Sequence, residues 1–223
     1  MLTLMSEALT LHFSQMLAPA TPARHLEADD MPWATELLIA ALTEHPVMRY
    51  ICQGPAEAEQ KRWLLQGLLR FGMRYGTVYA NAGRTALAIW LPPGRVAITP
   101  ARLLRAGLLP AAPWRLGLAG FKRLRRLLRA SSWLRRQSLS TPHHHLLALV
   151  VHPDAQGLGV GRRLLLATLA VRRTAQAPSY LSTQVPAHLP FYQRLGFQVV
   201  GHCSVGEGPT ALIDWGMLRT PRA

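Results

Sequence analysis

Three glycines at alternate positions lie in the stretch Val151-His152-Pro153-Asp154-Ala155-Gln156-Gly157-Leu158-Gly159-Val160-Gly161-Arg162. It joins an apolar run to a segment rich in Leu and Ala, so the chain passes there from strand to helix. The first N–H groups of a helix have no intrahelical partner, and the helix dipole favours negative charge at that end, so such a turn is suited to a pyrophosphate. Glycine lacks the Cβ that would hold an anion away, and Arg162 and Arg163 add positive charge. A tight connection with no ligand would use the same glycines, and the loop alone does not separate the two readings. Two familiar phosphate motifs are excluded. Gly157-x-Gly159-x-Gly161 lacks both the glycine spacing and the later acidic residue of a dinucleotide fingerprint, and the Walker pattern is absent.

A second cluster follows along the chain, Leu189-Pro190-Phe191-Tyr192-Gln193-Arg194-Leu195-Gly196-Phe197. By itself it reads as the aromatic core of a short helix. In this order, Gln156-x-x-Gly159-x-Gly161 after a strand and then Phe191-Tyr192 with Gly196-Phe197 resemble the GNAT superfamily of acyl-CoA-dependent N-acetyltransferases. The order of elements from Arg24 to Arg219, with a helical insertion before the loop and Gly208-Pro209 near the end, is similar to the subgroup that contains puromycin N-acetyltransferase. The resemblance implies acetyl-CoA as co-substrate and no metal. It implies that the strand before the loop splays from its neighbour, so that Leu149, Val150 and Val151 offer free backbone groups to the pantetheine arm and the thioester carbonyl. The pyrophosphate would then sit on the N–H groups of Gly157, Leu158, Gly159, Val160, Gly161 and Arg162, with Gln156 leading the loop. His188 stands where an Asn usually touches the coenzyme. A backbone N–H from the Leu149–Val150 region would steady the oxygen that gains charge when an amine attacks the thioester. Tyr192 would protonate the departing thiolate.

The pattern departs from the family on one strand. Tyr180-Leu181-Ser182-Thr183 stands where relatives carry Leu-Glu-Thr, so Ser182 replaces a Glu that helps bind or deprotonate the amine. A base must then come from His45, Glu44, His144, His145 or an ordered water, and histidine has the ordinary pKa suited to that task. His145 is the preferred candidate because it opens the strand that leads to the acyl site. Successive strand residues point to opposite faces, so His143, His144 and His145 do not all serve one centre. Cys52 and Cys203 are too far apart in sequence for a zinc-ligand spacing and too few for a disulfide framework, which fits a reducing cytoplasm.

The elements that must position these groups follow from periodicity and breakers. A short strand begins at Arg24, and Asp29 and Asp30 are placed to cap a helix from Pro32 to about Thr43. A helix from Pro55 to Arg74 carries Trp63, Leu64, Gly67, Leu68 and Phe71 on one face. Thr77–Ala80 and Thr85–Leu91 form a hairpin about Asn81-Ala82-Gly83-Arg84. Basic helices divided at Pro110 and Pro113 come next. They are followed by strand His145–Val151, helix Gly159–Arg173, strand Tyr180–Gln184, short helix Ala187–Leu195, and strands Gln198–Ser204 and Ala211–Leu218. This alternation predicts an α/β (α+β) sandwich, and the resemblance makes it the GNAT fold, a mixed, mostly antiparallel six- to seven-stranded sheet flanked by helices. One domain is expected over 23–223. Residues 1–22 read as an N-terminal extension, since Met1–Ala20 contains Glu7 and lacks the basic opening of a secretory signal.

The 223 residues are 49% hydrophobic, enough for a sizeable core, and Arg, Pro or Gly interrupts every run that would approach a membrane span. The net charge of +14 is concentrated. Eleven of the 25 basic residues lie between Arg95 and Arg136, no Asp or Glu stands between Glu59 and Asp154, and the rest of the chain is close to balanced. Within the insertion, 95–142, an apolar stripe of Leu116, Gly120, Leu124, Leu127, Leu128 and Leu134 opposes an Arg-rich face, with Trp114 and Trp133 near its ends. Such a helix suits a lipid surface, nucleic-acid phosphates or simple solvation. The preferred reading is a lid that selects the acceptor and attracts the anionic coenzyme. No nucleic-acid-reading motif accompanies the charge, so no specific nucleic-acid partner is expected.

The sequence reading is thus an N-acetyltransferase that moves an acetyl group from acetyl-CoA to a primary amine of a small molecule by direct attack in a ternary complex, as a cytoplasmic monomer or homodimer. The alternatives are acetylation of a protein Lys or N-terminus, or a non-catalytic acyl-CoA-binding or membrane-surface module.

Overall fold

Asn81 sets the first strand pairing. Its Oδ1 accepts hydrogen bonds from the N–H groups of Thr85 and Ala86 at 2.9 and 2.8 Å, which closes β2 (Thr77–Ala80) against β3 (Ala86–Leu91). The computed structural model describes residues 23–172, 177–208 and 211–221. The expected extension at 1–22, the predicted helix end at Arg173, and Pro209 of the Gly208-Pro209 pair lie outside them.

Around the hairpin, β1 (Arg24–His25) pairs antiparallel with β2, and β4 (His144–Val151) pairs antiparallel with β3. β5 (Ser179–Thr183) lies parallel to β4. β7 (Leu212–Arg219) is antiparallel to β5, and β6 (Gln198–Val205) to β7. The result is a seven-stranded sheet in the order β1-β2-β3-β4-β5-β7-β6. β3 is buried along its whole length, and that requires both faces of the sheet to be covered.

One face is covered by α1 (Met31–Leu42) and α3 (Glu57–Tyr75), whose Ala34, Leu37, Leu38, Leu65 and Leu69 pack on Val78, Leu87, Ile89 and Val150. The other is covered by α6 (Val160–Arg172) and α7 (Leu189–Gln193). Their Leu164, Leu165, Leu169 and Tyr192 pack on Ala86, Ala88, Trp90, Leu146 and Met217. Burying each such large side chain contributes about 1.5–3 kcal/mol. The indole of Trp90 is buried there as well, and its N–H donates to Thr168 Oγ1 at 3.2 Å. The insertion forms α4 (Pro100–Arg105) and α5 (Ala112–Ser138). Leu116 and Leu127 of α5 join Tyr50, Ile51, Cys52 and Val205 in a further core.

Three local expectations need correction. Asp30 occupies the N-cap position of α1, yet its carboxylate makes no cap bond. It accepts from the Glu27 N–H at 3.0 Å and the Trp33 indole at 2.8 Å and pairs with Arg24, so it ties β1 to α1, and these donors hold its pKa down to about 2. The short helix α2 (Pro46–Ile51) was not expected. It has too few residues to show a period, although His45 and Pro46 do supply its cap and first turn. Pro113 does not divide the basic segment, because it sits in the first turn of α5, where a missing N–H removes no helix bond. The departure from helix inside α5 is at Gly117, with φ 67° and ψ 166°.

Candidate functional site

β4 and β5 pair only through His144↔Ser179, His145↔Tyr180 and Leu146↔Leu181. Beyond that point β4 stays with β3 as far as Val151↔Ala86, while β5 stays with β7 as far as Thr183↔Trp215. The sheet therefore splits after Leu146, and the split widens toward the end of β4. A register shift at Ile89/Trp90 leaves Leu147 as an extra residue where the strands part, the kind of bulge that bends a strand. Further on, the His152 N–H donates to Thr85 O at 2.8 Å. By the alternation of an antiparallel ladder, Val150 then directs its backbone groups at β3, and Leu149 and Val151 direct theirs into the opening. In keeping with that, the Val151 carbonyl accepts from Gln156 Nε2 at 3.2 Å.

The glycine loop leaves β4 at the wide end of this split. His152 Nδ1 accepts from the Asp154 N–H, a short turn covers Pro153–Ala155, and α6 starts at Val160. Gly157 and Gly159 have φ of 75° and 73°, the left-handed region that side chains disfavour. A Cβ at Gly157 would face open space, whereas one at Gly161 would stand 2.9 Å from Val151 Cγ2. The glycines thus divide their work. Gly157 and Gly159 shape an exposed loop, and Gly161 lets α6 close onto β4. Gln156, Leu158 and Arg162 are exposed with the loop glycines, and Val160 is buried. Arg163 Nη1 donates to Leu158 O at 3.1 Å, which draws its guanidinium across the loop.

Tyr192 stands on α7, which follows β5 and so belongs to the opposite bank of the split. It is 8% exposed and packs edge-on against Phe191 and Phe197, with ring centres 5.0 and 6.0 Å away. Burial pushes its hydroxyl above the ordinary tyrosine value, so the phenol stays protonated through neutral pH. His188 ends the turn Pro186–His188 before α7 and is exposed. Burial lowers its pKa, and it lies close enough to His45 that a charge on it would disfavour one there. Burial first, and then His188, hold His45 down to about 4. His45 Nδ1 caps α2, accepting from the Val47 N–H at 3.3 Å.

His145 lies elsewhere, on the paired side of the point where β4 and β5 part. Its ring meets Tyr180 edge-on at 5.5 Å, and burial, followed by Arg135 and His143, holds its pKa down to about 3. It stands four residues before Leu149, about 13 Å along the strand. Glu44 is exposed, 3.8 Å from Lys61. Among the described residues no three His, Cys, Asp or Glu side chains are placed to hold a metal ion, and no helix is long and apolar enough to cross a membrane.

Asp214 on β7 was missed by sequence reasoning. Its side chain is completely buried and accepts from Ser131 Oγ and Gln184 Nε2, each at 2.6 Å, with Ser182 as a further donor. Burial raises its pKa, and the Ser131, Gln184 and Ser182 hydrogen bonds oppose the rise. The strand position that lacks the usual Glu is therefore hydrogen-bonded to a carboxylate from the neighbouring strand. No spacing connects the two in sequence. The available signal was an Asp inside the apolar run Leu212-Ile213-Asp214-Trp215, since such residues are rarely buried without partners.

Residues 117–199 match a family model described as an acetyltransferase (GNAT) domain. A 5-NmdU N-acetyltransferase of Pseudomonas phage PaMx11 is 31% identical over 80 residues, or 36% of this chain. The match spans 57% of that curated relative's length. Among solved structures, a histone acetyltransferase HPA2 and related acetyltransferase from Corynebacterium glutamicum superposes with a TM-score of 0.63 at 20% identity, covering 91% of this chain and 98% of that one. A polyamine N-acetyltransferase of Drosophila melanogaster, which forms N-acetylagmatine, gives 0.58 at 18% identity over 89% and 98%. These structures share the fold, a mixed α/β architecture with an open, mostly antiparallel sheet.

Proposed function

We propose that this chain, whose residues 117–199 match a family model described as an acetyltransferase (GNAT) domain, moves an acetyl group from acetyl-CoA to a primary amine of a small molecule by direct attack in a ternary complex. The observation that carries this reading is the split between β4 and β5 opening beside the glycine loop. A pyrophosphate held by the amides of Gly157, Leu158, Gly159, Val160, Gly161 and Arg162 would leave the pantetheine arm to run along Leu149, Val150 and Val151. Of these, Leu149 has its N–H directed into the opening, which makes it the donor to the oxygen that gains charge as the amine attacks. Tyr192, kept protonated by burial, delivers a proton to the departing sulfur. His188 lines the α7 bank. His45, beside it, is better placed than His145 to take the proton lost by the amine, directly or through water. His145, neutral and packed on Tyr180, acts in this reading by holding the closed end of the split.

The polyamine and agmatine N-acetyltransferases that share this fold support a small amine as acceptor. The free Cys52 and Cys203 fit a reducing compartment. Isothermal titration with acetyl-CoA, desulfo-CoA and ATP at physiological salt tests the coenzyme half of the proposal, and thiol release over a panel of amines tests the other. Acetyl-CoA should bind saturably and much more tightly than ATP, and equal affinities would remove the basis of the reading.

A further inference from the structure

The Arg-rich face of α5 takes no part in the proposed transfer site. Leu116, Gly120, Leu127 and Leu134 are turned inward, and α5 packs on α2, α3, β6 and β7, so the apolar stripe is used by the domain itself. The opposite face carries Leu118, Lys122, Arg125, Arg126, Arg129, Trp133 and Arg136, all exposed. Their spacing of three, four or seven residues places them on one side of the helix. Lys122, Arg125, Arg126, Arg129, Ala130 and Trp133 line an open groove of ≈ 530 Å³. No acidic residue occurs in the chain between Glu59 and Asp154 to offset this charge. The glycine loop belongs to α6 on the other side of the sheet, so coenzyme phosphates bound there would leave the α5 face unmatched.

We infer that this face of α5 is a docking surface for nucleic acid, bound through its phosphate backbone without base specificity. Three observations favour that partner over an anionic membrane. A lipid-bound helix needs a continuous apolar face to insert, and here the stripe of Leu116, Gly120, Leu127 and Leu134 is buried in the protein, which leaves Trp114, Leu118 and Trp133 exposed as separate apolar residues rather than a continuous face. The row from Lys122 to Arg136 spans about 21 Å of helix, the reach of about six phosphates of one strand. Trp133, 49% exposed at one end of the row, offers a ring on which an unpaired base stacks.

The test is fluorescence anisotropy of the full chain with a labelled 20-mer, duplex and single-stranded, over a salt series. Five phosphate contacts give a slope of log K against log salt of about −4.5 for duplex. Arg125→Ser/Arg129→Ser should make that slope shallower by about 1.8 and weaken binding at least tenfold at 100 mM salt. Arg49→Ser/Arg74→Ser removes the same charge from exposed positions elsewhere and should leave the slope nearly unchanged. Acetyl-CoA titration of each variant confirms that the fold and the glycine loop are intact, and keeps failure of docking separate from failure of the transfer reading. Equal effects of the two double variants, absence of binding at 50 mM salt, or preferential binding to phosphatidylglycerol vesicles would each overturn the inference.

Discussion

Tyr192 carries the sharpest expectation at the residue scale. Tyr192→Phe keeps the ring that packs between Phe191 and Phe197 and removes the proton. Turnover should fall by about 10²–10⁴ while acetyl-CoA affinity changes less than about twofold, and an unchanged kcat would take the residue out of the mechanism. His145 shows its role through pH. Its folded pKa of about 3 lies below the ordinary 6.5, so between those values the unfolded chain binds a proton that the folded chain refuses. Stability contributed by the neutral imidazole is thus complete above pH 6.5 and is lost as pH falls through that window. In His145→Gln the urea midpoint should decline less between pH 7 and 5 than in the parent, and identical slopes would contradict the assignment. His45, held at about 4, acts in the same direction and will keep part of the slope.

Among the elements, the loop between β4 and α6 separates two kinds of glycine. At Gly157 a side chain would strain the left-handed backbone by about 1–2 kcal/mol but meet no neighbour. Its cost should therefore appear mostly in binding. For Gly157→Val we expect acetyl-CoA affinity to drop more than tenfold with a modest fall in Tm. Gly161→Val is the converse, since its Cβ meets Val151 where α6 closes on β4. Overpacking of about 1–3 kcal/mol should lower Tm first. Measuring Tm and acetyl-CoA affinity for both variants checks the distinction, and the same pattern in both would show that the loop acts as one rigid unit. The bulge at Leu147 belongs to this scale too, because the split begins where it displaces the register.

At the scale of the whole molecule, Asp214 connects the insertion to the sheet. Ser131 of α5 and Gln184 beyond β5 both donate to this one buried carboxylate, so the expected lid is fastened to the domain as well as packed on it. Asp214→Ala leaves these donors unpaired inside the protein and should cost on the order of 3 kcal/mol. Ser131→Ala removes one partner and should cost about 1–2 kcal/mol. Thermal or urea unfolding of both variants tests the ranking, and a larger loss for Ser131→Ala would mean that the carboxylate is not the centre of the cluster.

The sequence by itself determined the parts governed by local physics. The hairpin about Asn81, the strand–glycine–helix passage at 151–161, and the helical periods of α1, α3, α5 and α6 were legible because propensity, turn chemistry and apolar spacing act within a few residues. Tertiary structure decided what depends on partners distant in sequence. Only the sheet order sets Asp214 against Ser182 and Ser131, brings His45 beside His188, and places His145 on the closed side of the split. Proline chemistry misled at Pro113 because the same ring breaks a helix interior and starts a helix, and the boundary between those cases was fixed by where α5 packs. The Arg-rich face was visible from the start. That it points outward, with its apolar stripe consumed by the core, follows from packing alone.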